Sequence, residues 1–151
     1  MKLCSYMPVC LKVKGENCLV VGGGKVAYRK ISVFRNFGAK ITCISPEIIA
    51  PIERLRSKGK IKCIKSLYPK NISLKKYKLI VAATDNAKVN KKVLSDANKA
   101  NTLVNVVDKS GPGSIIMPAI LKRKGLTIGI STNGQSPAKA KAIRDKLANA
   151  I

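Results

Sequence analysis

The sequence predicts an α/β fold, a parallel sheet with helices on both faces, followed by a small strand–strand–helix segment. Three observations carry it. Apolar, β-branched runs alternate with helix-periodic segments between Asn17 and Asp108, the pattern of strand–helix–strand units in a parallel sheet. The first of these runs ends in three consecutive glycines, Gly22, Gly23 and Gly24. Beyond the Gly/Pro/Ser stretch "KSGPGS", residues 109–114, the alternation gives way to a hairpin-like pattern and one last helix.

In chain order, "YMPVCLKVKG" alternates well enough for a short lead-in strand. "NCLVV", residues 17–21, is a continuous apolar run of the kind buried on both faces of a sheet. "KVAYRKISVFRNFG" follows as a helix: Val26, Ala27, Ile31, Val33, Phe34 and Phe37 recur near helical spacing, and Gly38 supplies a C-terminal cap. "AKITCIS" is a second strand broken by Pro46, "PEIIAPIERLRSKG" a broken helix ending at Gly59, and "KIKCIKS" a third, alternating strand. "YKLIVAAT", residues 77–84, is the next buried strand. "DNAKVNKKVLSDANKAN" is a helix with Val89, Val93, Leu94 and Ala97 on one face and Asp85 as its N-cap. "TLVNVVD" closes the series. In "SIIMPAILKRKGLTIGIST" two strands meet at Lys124–Gly125, and "SPAKAKAIRDKLANAI" is a helix opened by Ser136 with Pro137 in its first position. The expected domains are residues 1–112 and 113–151.

The 151 residues suffice for one ordinary domain, or one with a short appendage, and an apolar content of 46% permits a real core. With 4% aromatic residues and no Trp, that core is built from Ile, Val, Leu and Ala. The formal charge is +23. It suits a nucleic acid, or a strongly acidic small substrate drawn in by the protein's field. It reads equally as biased composition, since Lys far outnumbers Arg and is spread along the chain. Nucleic-acid binding is disfavoured, because with 4 Tyr and 2 Phe no basic stretch is interleaved with stacking aromatics. The 5 cysteines form no Cys-x-x-Cys pair, so no structural zinc site is written here. Cys18 and Cys43 fall inside apolar runs, as small hydrophobes do. No segment has the length of a membrane-spanning helix, and the first residues lack the apolar stretch of a signal peptide. A cytoplasmic location, no membrane partner and reduced thiols are expected.

Gly22-Gly23-Gly24-Lys25-Val26-Ala27 fits G-x-G-x-x-A between a strand and a helix, the context of a dinucleotide-binding turn. Gly22 permits the tight turn, Gly24 lets the backbone approach a pyrophosphate, and Ala27 lets the helix pack closely on the sheet. The helix N-terminus adds amide donors and a partial positive charge. A glycine turn that serves packing alone is the competing reading. In such Rossmann-type sheets an acid at the end of the second strand holds the ribose hydroxyls. Ile44-Ser45-Pro46-Glu47 stands there, with Glu47 slightly late but within reach and no Arg or Lys immediately beside it for a 2′-phosphate. NAD is preferred over NADP on that ground.

Loops at the carboxyl ends of parallel strands line the ligand crevice. "AATD" ends the fourth strand: small Ala82 and Ala83 leave room for a cofactor ring bordered by Thr84 and Asp85, though Asp85 reads at least as well as a helix cap. "NVVD" ends the fifth strand on the same edge. There Asp108 can act as a general base, contact a metal, or simply start the next turn, in a chain with 7 acidic residues and no His. "STNGQSP", residues 131–137, can hold carboxylates through amides and hydroxyls, or be an ordinary capped helix start.

Together "VVGGGKVAYRK", "VAATD", "LVNVVD", "IIMPAILKRKGLTIGIST" and "GQSPAKAKAIRDKL" closely resemble the precorrin-2 dehydrogenase family of sirohaem synthesis. That family includes the dehydrogenase/ferrochelatase module of multifunctional sirohaem synthases. The resemblance runs from about Met7 to Leu147, with the motifs in order. It implies a Rossmann-type domain, NAD-dependent oxidation of precorrin-2 to sirohydrochlorin, and an intertwined homodimer formed through the tail. It puts cofactor contacts on Gly22, Gly23, Gly24, Lys25 and Val26 and on Pro46 and Glu47. It puts the family's essential aspartate on Asp108, used in dehydrogenation and, in bifunctional members, in Fe²⁺ insertion. It puts a loop near the tetrapyrrole pocket on Ser131, Thr132, Asn133, Gly134, Ser136 and Pro137. A macrocycle with eight carboxylates would be concentrated by a strongly basic protein, and Lys122, Arg123, Lys124, Lys139, Lys141 and Arg144 all belong to the tail. Members often continue with a helical domain that helps enclose the tetrapyrrole. This sequence stops at Ile151, so that domain is expected to be absent, with the pocket more open or completed by the dimer partner. A methyltransferase domain is expected to be absent too, so that precorrin-2 is expected from another protein. Ferrochelatase activity stays open, since dehydrogenase-only relatives exist and the chain has no His. The rival class is a non-catalytic NAD-binding module, which gives Asp108 no special role.

Overall fold

A computed structural model describes residues 5–108 and 113–150. The chain divides into two compact units, Leu11–Ser114 and the described parts of Met1–Cys10 with Ile115–Ile151. Residues 5–10 thus group with the tail, where a 1–112 domain would count them with the sheet. The Tyr6 N–H donates to Asn133 Oδ1 at 3.2 Å, within that second unit.

In the larger unit five strands form one parallel sheet. They are β1 (Asn17–Val21), β2 (Lys40–Ile44), β3 (Lys62–Ile64), β4 (Leu79–Ala82) and β5 (Leu103–Val106), in the order β3-β2-β1-β4-β5. The helices are α1 (Lys25–Asn36), α2 (Ala50–Ser57) and α3 (Ala87–Lys99). Strand order reverses between β1 and β4. With right-handed crossovers, helices before and after that point fall on opposite faces. Accordingly α1 packs on β1 and β2, and α3 on β4 and β5.

β1 and β4 lie at the centre. Cys18 to Val21 and Leu79 to Ala82 are all buried, as expected of strands covered on both faces. Leu19, Val21, Ile44, Ile80 and Val104 join Val93 and Ala97 of α3 in one cluster. Each large side chain there contributes about 1.5–3 kcal/mol by leaving water. α1 buries Ala27, Ile31 and Phe34. It stops at Gly38, whose φ of +76° suits a residue without a Cβ. There the Gly38 N–H donates to Arg35 O at 2.9 Å and the Ala39 N–H to Phe34 O at 3.1 Å, a Schellman ending.

Three expectations are corrected. Residues 6–13 form no strand; Pro8 has no N–H to give a ladder, and the two edges of the sheet are held by β3 and β5. Helix α2 starts at Ala50 rather than at Pro46, because Pro51 is tolerated only in a first turn. The N-cap of α3 is Asn86, not Asp85: Asn86 Oδ1 accepts from the amides of Lys88 at 3.0 Å and Val89 at 3.3 Å. Of the "KSGPGS" stretch, residues 109–112 lie outside the described residues.

The second unit is an antiparallel pair, β6 (Ala119–Arg123) and β7 (Leu126–Ile130), with helix α4 (Pro137–Ala150). Its turn takes φ of 40° at Lys124 and 83° at Gly125, the positive pair that matches strand twist in a two-residue hairpin. Ser136 caps α4 by accepting the Lys139 N–H at 3.3 Å. At the other end Arg123 Nη1 donates to the Ala148 carbonyl at 2.9 Å.

Burial also sets thiol reactivity. The Cys43 thiol is pushed from 9.0 up to about 12, first by burial and then by the neighbouring Cys63. Cys18 is pushed up to about 11, first by burial and then by the Glu16 carboxylate. Cys10 is exposed. In the folded protein at about pH 8, iodoacetamide is therefore expected to alkylate Cys10 and to leave Cys18 and Cys43 unmodified until denaturant is added. Peptide mass spectrometry reads the order; labelling of Cys43 as fast as Cys10 would contradict the packing.

Candidate dinucleotide-binding site

β1 ends where the strand order reverses, and the chain turns there on Gly22. Its φ of +125° is rarely adopted by L side chains, and a Cβ would run into the Ala83 carbonyl just after β4. Gly22 donates its N–H to Ile44 O at 2.9 Å, while its carbonyl accepts from Cys43 Sγ at 3.3 Å. Gly23 is confined from the other side. A Cβ on it would meet the Glu47 carbonyl and, at 2.8 Å, the Ser45 hydroxyl. Its carbonyl accepts the Ile49 N–H at 3.0 Å.

Gly24 differs from both. A Cβ there would meet nothing within 4 Å. Gly24 is the N-cap of α1, which has no side-chain cap and no acidic residue in its first turn. Two glycines thus let strand ends close up, and the third leaves open ground over a bare helix N-terminus. Such a terminus receives phosphate through its amides and its partial positive charge. Lys25 and Val26 stand exposed beside it, and Ala27 is fully buried against the sheet.

The other strand ends complete this edge. After β2, Ser45 is buried, with its N–H on Ile64 O at 3.2 Å, while Pro46 and Glu47 are exposed. After β4, Thr84 is half-buried and Asp85 exposed. After β5 stands Asp108, exposed, with Oδ2 accepting from Asn90 Nδ2 at 2.6 Å. The edge therefore gathers Gly22–Val26, Ser45–Glu47, Thr84–Asp85 and Asp108. It also gathers Asn90, which the motifs do not single out. Asn90 is fully buried on α3, one turn before Val93 and two before Ala97. A polar residue in phase with an apolar face is the signal that marks it.

Ser131, Thr132, Asn133, Gly134, Ser136 and Pro137 belong to the second unit and form one folded turn. Asn133 and Gly134 take φ of 56° and 80°. Ser131 Oγ accepts the Asn133 N–H at 3.0 Å and Thr132 Oγ1 the Ser136 N–H at 2.9 Å. Of the basic tail residues, Arg123 holds the end of α4 and Arg144 pairs with Asp145 at 2.5 Å. Among the described residues, no group of three or more His, Cys, Asp or Glu could hold a metal ion. Among them, too, no helix is long and apolar enough to cross a membrane.

The chain is similar to known proteins. Residues 9–119 match a family profile described as putative NAD(P)-binding, and residues 123–150 one described as sirohaem biosynthesis protein central. A sirohaem synthase of Ruthia magnifica subsp. Calyptogena magnifica is 37% identical over 147 residues, 97% of this chain and 31% of the relative. A sirohaem synthase of Nitrosococcus oceani is 34% identical over 146 residues, again 97% of this chain and 31% of the relative. The chain thus spans about a third of the length of these curated relatives. The solved structure of SirC, a precorrin-2 dehydrogenase, matches with a TM-score of 0.83 at 35% identity, covering 97% of this chain and 71% of that one.

The unequal glycines make a testable contrast. Serine is a good N-cap, so Gly24→Ser is expected to keep the melting temperature while its hydroxyl occupies the amides and open space a phosphate would use. Nucleotide affinity, read by NADH fluorescence titration, is expected to fall about tenfold or more, the loss of one or two charge-assisted hydrogen bonds. Gly23→Ala, by contrast, is expected to cost about 1–3 kcal/mol of stability in thermal melts, because the Glu47 backbone must move. Unchanged NADH affinity in Gly24→Ser would remove Gly24 from the site.

Proposed function

We propose, because the chain belongs to the family of NAD(P)-binding sirohaem-biosynthesis proteins that includes the precorrin-2 dehydrogenase SirC, that it oxidises precorrin-2 to sirohydrochlorin with NAD. The observation that carries this reading is Asp108 on the same sheet edge as the bare N-terminus of α1.

The residues fit a dinucleotide. The Gly22–Val26 turn would hold the pyrophosphate on the amides of α1, with Gly24 giving the room. Glu47 touches the turn through its backbone and would bond the ribose hydroxyls. A carboxylate there disfavours a 2′-phosphate, which is the ground for NAD over NADP. Thr84 and Asp85 would border the nicotinamide end. Bound there, NAD supplies a two-electron acceptor for hydride.

The oxidation removes a hydride and a proton from the substrate as conjugation extends. Asp108 is the residue proposed to take the proton on its carboxylate. Its exposure lets that proton pass on to water. The Ser131–Pro137 turn and the tail lysines would bind substrate carboxylates, and the charge of +23 supports capture of a polyacid from solution.

A homodimer through the second unit belongs to the same reading. That unit has one two-stranded sheet, buries Ala140 alone among its described residues, and leaves Leu126 and Ile143 exposed. A two-stranded sheet is at best marginal by itself. A cytoplasmic location goes with the free thiols of Cys10, Cys18, Cys43 and Cys63. Insertion of Fe²⁺, as a second substrate, would fall to Asp108.

The test is purified protein with precorrin-2 and NAD, followed by NADH and sirohydrochlorin absorbance. NADH is expected with both substrates present, and NADPH from NADP at a kcat/KM lower by about tenfold or more. Asp108→Asn is expected to lower kcat about 10²-fold or more with NAD affinity retained, as loss of a general base does. NADH absent from folded wild-type protein would overturn the dehydrogenase reading. Anaerobic Fe²⁺ with sirohydrochlorin separates the second activity: a rate equal to that without enzyme leaves dehydrogenation alone.

A further inference from the structure

The amide of Asn90 is a fully bonded buried polar group at this sheet edge. The residue is fully buried in the first turn of α3. A primary amide has two donor hydrogens and two acceptor lone pairs, and burying them unpaired is costly. Here all four are used. Oδ1 accepts the Thr84 N–H at 3.2 Å and the Thr84 hydroxyl at 2.7 Å. Nδ2 donates to the Thr84 carbonyl at 2.9 Å and to Asp108 Oδ2 at 2.6 Å.

The orientation of this amide is forced by its partners. The Thr84 N–H can only donate, so it faces Oδ1. The Thr84 carbonyl and an ionised Asp108 only accept, so they face Nδ2. A flipped amide would set donor against donor and acceptor against acceptor.

Three of the four bonds go to one residue, Thr84, at the end of β4. They would suffice to fix the turn into α3. The fourth leaves that turn and crosses to the end of β5. Asp108 is exposed, and an exposed carboxylate ordinarily samples several rotamers. A short bond from a fully buried and saturated amide removes most of that freedom.

We infer that Asn90 is a positioning residue, holding the Asp108 carboxylate in one orientation at the sheet edge for proton transfer from the substrate. This rests on the dehydrogenase reading for its chemistry and on the Thr84–Asn90–Asp108 chain for its geometry. Asn90 acts through Asp108 and needs no contact of its own with substrate or NAD. Misplacing a catalytic group by about an ångström can cost about 10²-fold in rate.

The experiment is a double-mutant cycle on the full chain. Asn90→Ala is expected to lower kcat about 10- to 100-fold, with KM for NAD changed by less than about threefold. In the Asp108→Ala background the same substitution is expected to change kcat by less than about threefold, because the group it positions is gone. Equal losses in both backgrounds would overturn the inference and leave Asn90 a support of the fold. A second measurement needs neither a folded Asn90 variant nor turnover. In ¹⁵N-labelled wild-type protein the Asn90 side-chain amide is expected to show a downfield proton that moves upfield and exchanges faster in Asp108→Ala. A resonance unmoved by that substitution would overturn the inference. If wild-type protein forms no NADH, the dehydrogenase reading fails by that result, and the amide resonance still decides whether Asn90 holds Asp108.

Discussion

Everything at the candidate site depends on how closely three strand ends approach around Gly22 and Gly23. The end of β1 passes between the Ala83 carbonyl and the Glu47 carbonyl, and a Cβ at Gly22 or Gly23 would collide with one or the other. Backbone sterics thus penalise every other residue at both places, since the facing carbonyl would have to shift. The close approach has a consequence for α1. The helix begins directly after the N-cap Gly24, at Lys25, with its amides at the sheet edge and no side-chain cap on them. The same crowding puts the Cys43 thiol on the Gly22 carbonyl, so even the small buried hydrophobe of β2 serves the turn. Packing and ligand binding are therefore not rival explanations of the three glycines. Gly22 and Gly23 serve the first, and the open ground at Gly24 suits the second.

From this edge the chemistry divides along the strand order. The turn after β1 offers positive potential and amide donors, which suits a pyrophosphate. The loop after β2 offers Glu47. The ends of β4 and β5 are joined by the Asn90 amide, so that Thr84 and Asp108 are set by one buried group. On the proposed reading, a small sheet with short strands would in this way present anion-binding and proton-accepting groups side by side. The net charge of +23 would act on a longer scale, raising the local concentration of the proposed polyanionic substrate, an effect that falls off as salt is added.

Much of this was legible in the sequence. The run "NCLVV" matches β1 residue for residue, because a strand buried on both faces is written as an unbroken apolar run. The hairpin at Lys124–Gly125 and the Ser136–Pro137 helix start were visible because turn and cap chemistry is local. The lead-in alternation at residues 6–13 misled, since alternation says nothing of whether a sheet edge is available. Asp85 misled as a cap because Asn86, its neighbour, has equal capping chemistry, and only the backbone decides which one faces the amides. The separate role of Gly23 was hidden because it depends on Glu47, which reaches it by way of β2. Asn90 shows in the sequence only as a polar residue in phase with an apolar face, and its role does not show at all. Its partners lie 6 and 18 residues away along the chain, and a lone Asn in a helix with several polar neighbours carries no motif.

On the proposed reading, one sheet edge holds the nicotinamide cofactor at the α1 N-terminus with its reactive ring on the Asp108 side. A crystal structure of the protein grown with NAD tests this most directly. Pyrophosphate density is expected on the amides of Lys25 and Val26 beside Gly24, the ribose near Glu47, and the nicotinamide toward Thr84 and Asp108. A dinucleotide bound away from the Gly22–Val26 turn, or with its nicotinamide directed away from Asp108, would contradict it.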